Sequence, residues 1–256
     1  MTVMDALDLT GRRALVTGAS RGIGHAIASA LAQSGAQVAL HGKTMADAQA
    51  GLAALPPLCR QQCTPLAADL AETGQGLKLA QDAEKLLGAL DIVVLNASIQ
   101  SRCAFEAVEE TQFLQEIQVN LLAAYQLLQY VAPKMAARGW GRILTIGSVQ
   151  QVRPNPALSV YAATKAAQLN LTLSLAKLYA RSGVTVNNLA PGLIDTERNA
   201  DLKGDSKAYR ELLDRIPAGQ AGTPQDCAWA ALMLCSQTGR YITGVDLMVD
   251  GGLHLP

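Results

Sequence analysis

A short apolar run, Arg13 to Thr17, passes directly into Thr17-Gly18-Ala19-Ser20-Arg21-Gly22-Ile23-Gly24 and then into a segment with helical spacing. No other stretch limits the fold as much. Glycines at 18, 22 and 24 allow positive φ in the turn, close backbone approach to a ligand, and tight packing of helix on strand. The helical stripe is Ile23, Ile27, Ala30 and Leu31, and Gly35 stands where a C-cap belongs. A helix that starts on such a turn offers free N–H groups and the positive end of its dipole, the setting for a phosphate.

The same rhythm repeats along the chain. β-Branched runs lie at Gln37 to His41, Asp91 to Leu95, Arg142 to Ile146, Val184 to Leu189 and Asp246 to Val249, with a weaker one near Thr64 to Ala67. Ala- and Leu-rich helical stretches separate them, one marked by Leu169, Leu173, Ala176 and Leu178, with Ser159 as its expected N-cap and Gly183 as its stop. Strand and helix in alternation predict an α/β fold, a doubly wound parallel sheet of about seven strands with helices on both faces and right-handed crossovers. No linker or repeat divides the chain, so residues 1–256 read as a single domain. Residues 193–216 break the rhythm with a dense run of charge, expected to be a solvated helix or a lid over a substrate site.

Composition excludes several function classes. Lys and Arg total 21, as do Asp and Glu, and aromatics are 4%, so neither a basic surface nor stacking platforms for nucleic acid are expected. Hydrophobic residues at 50% argue against disorder. The N-terminus lacks a basic start followed by an apolar core, and no apolar run approaches the roughly 18 residues that span a bilayer. A cytoplasmic protein without membrane partners is expected. Cys59, Cys63, Cys103, Cys227 and Cys235 are odd in number and scattered, which suits reduced thiols; Cys59 and Cys63 have no second pair nearby, and no metal site is expected.

The motif order carries a resemblance. Besides the glycine turn, Asp69-Leu70 follows the third strand, Asn96-Ala97 the fourth, Ser148 the fifth, and Pro191-Gly192 the sixth, with Ile194 and Thr196 shortly after. Asn120 lies in a long helical stretch and Tyr161-x3-Lys165 opens another. Ser148 precedes Tyr161 by 13 residues, and Asn120 precedes Ser148 by 28. Almost end to end, the chain resembles the short-chain dehydrogenase/reductase family, including its 3-oxoacyl-carrier-protein reductases and its sugar and polyol dehydrogenases. One position departs from the family pattern: Ser98 stands where a glycine is common.

The resemblance implies a Rossmann-type fold and hydride transfer between a nicotinamide cofactor and a carbonyl or secondary alcohol. Tyr161 and Lys165, four apart on a helix, share a face. A lysine ammonium and an oxidised nicotinamide would both favour the phenolate, bringing the Tyr161 proton within reach of neutral pH. By resemblance, Ser148 holds the substrate oxygen, Asn120 a relay water, and Lys165 the nicotinamide ribose as well. Implied cofactor contacts are Gly18, Ser20, Arg21, Gly22, Ile23, Gly24, Lys43, Asp69 (at the adenine), Leu70, Asn96, Ala97, Tyr161, Lys165, Pro191, Gly192, Ile194 and Thr196. The second strand ends in His41-Gly42-Lys43, without the acidic residue that binds the ribose hydroxyls of NAD. Lys43 and Arg21 are cations suited to a 2′-phosphate, so NADP is expected over NAD; His41 reads as a strand-end or ribose-edge residue.

Gln150, Gln151, Val152, Arg153, residues 98–102 and the 193–216 segment are the expected substrate pocket, and the polarity of Gln150, Gln151 and Arg153 suggests a hydroxylated or anionic substrate, such as a sugar acid, polyol or small keto compound. A 3-oxoacyl thioester is the alternative, which would need Arg102, Lys134, Arg138 and Arg142 to assemble into a docking patch for an acidic carrier. A non-catalytic NADP sensor on the same fold is the alternative of another class. The resemblance also implies a homotetramer, built through helices running roughly 109–137 and 159–182 and the C-terminal residues 251–256.

Overall fold

The computed structural model describes residues 2–199 and 206–256. Seven strands form one parallel sheet: β1 (Arg13–Val16), β2 (Gln37–Gly42), β3 (Cys63–Ala67), β4 (Ile92–Leu95), β5 (Gly141–Ile146), β6 (Val184–Pro191) and β7 (Asp246–Val249). Their order is β3-β2-β1-β4-β5-β6-β7. The expected doubly wound α/β sheet is present, and every expected strand falls within two residues of its predicted limits. Winding reverses between β1 and β4, and in such sheets ligands bind beyond the strands' C-terminal ends at that switch. The loop after β1 is the glycine turn, and the loop after β4 begins at Asn96.

Alternation along the strands builds two cores. Ala14 and Val16 of β1 point to one face with Val38, Leu40, Ile92, Val94, Leu144 and Ile146. There α2 (Gly22–Gln33) packs against a late helix, Pro224–Cys235. Leu15, between them, points to the other face with Ala39, Val93, Ile143 and Val186. That face is covered by α5 (Gln75–Leu87), α7 (Ala123–Ala137) and α8 (Ser159–Tyr179). Each fully buried Leu, Ile or Val contributes about 1.5–3 kcal/mol. The weak third run is a strand despite Pro65 because β3 is the sheet edge and pairs only with β2.

Two helical expectations change. The stretch 109–137 is not one continuous helix: α6 (Glu110–Ile117) meets α7 through a π-turn at Gln118–Leu122, and Asn120 sits inside it. Such turns recur at functional positions. Ser159 is the first residue of α8 rather than its N-cap, which is Leu158. Of the Leu169 stripe only Ala176 is on the core face: Leu173 and Leu178 are exposed, while Tyr161, Ala162, Thr164, Lys165, Gln168 and Thr172 turn inward with Ala176. Polar residues on the buried face of a helix mark it as more than packing.

All five cysteines are free thiols. Among the described residues no three His, Cys, Asp or Glu side chains gather as for a metal, and no helix is long and apolar enough to cross a membrane.

Candidate functional site

The glycine turn is braced from three directions. Gly18 and Gly22 have φ of +62° and +60°, which other residues rarely adopt. Gly24 is needed for space: a Cβ there would lie under 3.0 Å from the Gly18 carbonyl and the Asn96 side chain. Asn96 Nδ2 donates to the carbonyls of Thr17 (3.0 Å) and Gly18 (2.9 Å). Thr17 Oγ1 accepts from the backbone N–H groups of Asn96 and Ala97, both at 3.0 Å. Asn96, which the resemblance assigned to the cofactor site, thus clamps the turn with its side-chain amide. Thr196 packs above Gly22, its methyl 3.5 Å from where a Cβ would be.

His41 supplies the third brace. It is buried, its Nδ1 accepts from the Gly18 N–H (3.0 Å), and its Nε2–H therefore donates to the Ala68 carbonyl (3.0 Å). Burial lowers its pKa below the ordinary histidine value, and the neutral ring is the one that fits. The unfolded chain takes up this proton below about pH 6.5, while the folded chain resists it. His41's contribution to stability is therefore intact above that pH and declines as pH falls further, by at most about 1.4 kcal/mol per pH unit. Urea unfolding at pH 7.5 and 5.5 is expected to reveal this slope, and His41→Gln, which keeps an acceptor and a donor without titrating, to reduce it.

The turn fits a dinucleotide. The α2 N-terminus has no side-chain cap, since its N-cap residue is Arg21, and its first N–H groups stay available for a pyrophosphate. Ile23 packs on the core behind the turn, and Ser20 lies against Gly51 of the helix after β2. At Gly42 a Cβ would come within 3.0 Å of Ala48 N, so the position has no room for an acidic side chain. The charges of Arg21 and Lys43 both help lower the Asp47 pKa, after the larger effect of the Thr44 hydrogen bonds. Among the described residues Arg21 pairs with Glu197 (3.0 Å) at the surface and the exposed Lys43 with the half-buried Asp69 (3.2 Å). Exposed pairs of this kind contribute about 0–1 kcal/mol, little obstacle to an incoming phosphate. Asp69 is thus engaged with Lys43, while Leu70 is buried beside it and its carbonyl accepts from Gln118.

At the far end of the crevice, Pro191 closes β6 and Gly192 packs against Asp250, where a Cβ would not fit. Ile194 is buried and bridges to Gly222. Asn120 holds Ile99 from both sides, Oδ1 accepting from its N–H (2.8 Å) and Nδ2 donating to its carbonyl (2.9 Å). It also donates to Thr164 Oγ1 (3.2 Å) on α8, one turn from Tyr161.

Tyr161 and Lys165 are both buried, Lys165 at 1% exposure. The lysine Nζ lies 5.6 Å from the tyrosine ring centre and donates to the Ile146 carbonyl (2.7 Å) and Gln168 Oε1 (3.2 Å). Burial, with Arg198 nearby, lowers the Lys165 pKa to about 7. Burial raises that of Tyr161, while the charge of Arg198 and hydrogen bonds from Ser148 and Arg198 pull it down. Arg198 is a second cation that acts on the phenol, beside the Lys165 ammonium, which donates to the Ile146 carbonyl and Gln168. Ser148 Oγ also accepts from Gln150 N (3.2 Å), which fixes it at the end of β5.

Two residues at this centre were not singled out in the sequence. Arg198 reaches back from the segment after β6 and donates to Ser98 Oγ (3.0 Å) and the Ser98 carbonyl (2.7 Å). Glu116 is 1% exposed; one oxygen accepts from Ser101 N (2.8 Å), the other has no hydrogen-bond partner among the described residues, and its charge raises the Tyr161 pKa. Glu116 precedes Asn120 by one helical turn, the only sequence hint to it.

The expected pocket residues are mostly occupied elsewhere. Gln151 bonds Ser148 N and Asp246, Gln150 accepts from Asn155 N, Arg153 donates to the Leu253 and Leu255 carbonyls, and Val152 is exposed. Much of their polarity is used within the fold. Positions 200–205 of the expected lid lie outside the described residues. The basic docking patch does not assemble: Arg142 is 3% exposed, Lys134 pairs with Glu84, and Arg138 binds the Leu90 carbonyl.

Comparison with known proteins agrees with this geometry. The profile of the enoyl-(acyl carrier protein) reductase family matches residues 18–254. A gluconate 5-dehydrogenase of Gluconobacter oxydans is 36% identical over 256 residues, covering 99% of this chain and 98% of its own. The structure of a 3-oxoacyl (acyl-carrier-protein) reductase from Agrobacterium tumefaciens with NADP bound superposes with a TM-score of 0.92 at 40% identity, covering 98% of this chain and 97% of its own. That of a gluconate 5-dehydrogenase from Burkholderia cenocepacia in complex with NADP and tartrate gives 0.89 at 36% identity, covering 98% of both chains. With these likenesses over nearly its whole length, the chain belongs to the short-chain dehydrogenase/reductase family of oxidoreductases.

Proposed function

We propose that the protein interconverts a carbonyl and a secondary alcohol on a small polar molecule with NADP as cofactor. One observation carries the reading: a single segment joins the dinucleotide cradle to the loop after β4, with Thr196 over Gly22 and Arg198 bonded to Ser98, beside the Ile99 that Asn120 holds. Arg21 and Lys43 would meet the 2′-phosphate, and the filled space at Gly42 disfavours the acidic contact that NAD prefers. Relatives with the same fold carry NADP.

A bound nicotinamide supplies or accepts the hydride. Tyr161 then gives or takes the proton at the substrate oxygen, and Ser148 holds that oxygen against the phenol. Lys165, with its pKa near 7, can pass a proton on at neutral pH, and Asn120 steadies the loop above it. General acid–base help of this kind contributes about 10²–10⁴-fold. The whole chain acts as one domain, and residues 193–216 serve as its substrate lid. A cytoplasmic homotetramer fits the exposed apolar residues Leu122, Tyr125, Leu173 and Leu178 on the helices expected to pair.

Turnover of a carbonyl panel tests the reading: keto acids, keto sugars and a 3-oxoacyl thioester, each with NADPH and with NADH. NADPH oxidation with small polar carbonyls is expected, at higher kcat/KM than with NADH. Preference for the thioester would move the protein to acyl reduction, and tight NADPH binding without turnover of any carbonyl would overturn the enzyme reading.

A further inference from the structure

Three neighbouring strands carry a polar row where apolar residues would pack. Thr145 of β5 is in register with Asn188 of β6, and Asn188 with Asp246 of β7. Thr145 and Asn188 are buried, so each polar atom needs a partner. Thr145 Oγ1 donates to Asn188 Oδ1 (2.6 Å), and Asn188 Nδ2 donates to Asp246 Oδ1 (2.7 Å). Gln151 reaches the same carboxylate, its Nε2 lying 2.8 Å from both oxygens. The other end of that amide, Oε1, accepts from the backbone N–H of Ser148 (3.2 Å). Ser148 Oγ accepts from Gln150 N (3.2 Å), which completes a reciprocal capping box around the turn Val149–Gln151. The Ser148 hydroxyl proton is thereby left to donate elsewhere. The cluster also touches the residue before Ser148: a Cβ on Gly147 would stand under 3.0 Å from Gln151 Oε1 and from both ends of the Asn188 amide.

We propose that Asp246 is a positioning residue, acting through Gln151 to fix Ser148 at the end of β5. The proposal rests on the functional reading above, in which Ser148 holds the substrate oxygen. An ionised carboxylate only accepts hydrogen bonds. Asp246 therefore turns the NH2 ends of both amides toward itself, and their oxygens toward Ser148 N–H and Thr145 O–H. An asparagine at 246 would present one acceptor and one donor. One of the two amides would then lose its bond or turn round, and a reversed Gln151 sets a donor against the Ser148 N–H.

The experiment uses the whole protein with NADPH and its best carbonyl substrate. Asp246→Asn is expected to lower kcat about 10–100-fold, as small misplacements of a reacting group do, with NADP affinity unchanged. Pairing it with Gln151→Glu restores an accept-only group beside Ser148 N–H and a donor facing it from 246. The pair is expected to recover kcat to within about threefold of the wild type. A merely structural role would lose further activity in the pair. In Ser148→Ala, adding Asp246→Asn is expected to cost less than about twofold, because the residue it positions is gone. Hydrogen exchange over residues 147–151, read by mass spectrometry, is expected to quicken in Asp246→Asn and slow again in the pair. Should Asp246→Asn fail to fold, Gln151→Ala leaves the row across the strands intact and is expected to give the same pattern with Ser148→Ala. Unchanged kcat in Asp246→Asn, no recovery in the pair, or an equal loss with and without Ser148 would overturn the assignment of Asp246 while leaving the NADP-dependent activity standing. Absence of turnover by the wild type on every carbonyl would instead overturn the functional reading and this proposal together.

Discussion

Tyr161→Phe is expected to leave a folded protein that binds NADP and scarcely turns over. Tyr161 is buried on the inward face of α8, and phenylalanine keeps that surface. Only the hydroxyl goes, and with it its interactions with Ser148 and the charge of Arg198. The partners lost are a hydroxyl and an exposed arginine, both of which water can satisfy, so the stability change is expected to stay near 1 kcal/mol. Chemistry loses its proton donor at the substrate oxygen, worth about 10²–10⁴-fold in kcat. Dinucleotide affinity by fluorescence titration and kcat by NADPH oxidation separate the two effects. A variant with near-normal kcat would exclude Tyr161 as the acid–base group. In the wild type, burial holds the phenol protonated and Arg198 opposes it, so alcohol oxidation is expected to quicken as pH rises and carbonyl reduction to slow.

The second large effect is expected from the smallest substitution, Gly24→Ala. Alanine favours a helix over glycine by about 1 kcal/mol, so on propensity alone the variant would gain stability. The added methyl would instead stand under 3.0 Å from the Gly18 carbonyl and Asn96 Nδ2, the two groups that bond each other to close the turn. Neither is the free end of a flexible chain; one is backbone, and the other is fixed by two carbonyls. The turn must open, and a loss of about 1–3 kcal/mol in urea unfolding is expected. NADP affinity is expected to fall tenfold or more, about 1.4 kcal/mol. Adding Asn96→Ala removes one of the two collisions and is expected to recover part of the stability but not the affinity, because the clamp goes with it. Unchanged affinity in Gly24→Ala would remove the turn from the dinucleotide site.

Much of this was legible in sequence because it is local. A strand that alternates, a glycine run, or a Tyr and Lys four apart announces itself within a few residues, and the crevice follows from the sheet order they build. Pro65 shows the limit of local reading: its effect depends on whether its strand is at an edge, which only the assembled sheet decides. Arg198 was one charge in a run of charges, and Glu116 one acid on an amphipathic helix. Nothing near either in sequence distinguishes it from a solvated side chain. Their meaning comes from segments 100 and 15 residues away, through Ser98 and Ser101. Gln151 and Arg153 erred in the opposite direction, polar beside the site yet consumed by Asp246 and the C-terminal carbonyls. The π-turn at Asn120 also left no trace in the apolar spacing.

The bracing of the glycine turn by Thr17, His41 and Asn96 has a kinetic side. Every one of these contacts is made by the protein to itself, so the concave backbone exists before any ligand arrives. Little chain entropy remains to be lost on docking, and encounter rather than rearrangement should govern how fast a dinucleotide seats. Release then becomes the step through which affinity is set, and a weakened brace would show itself first as a shorter residence time.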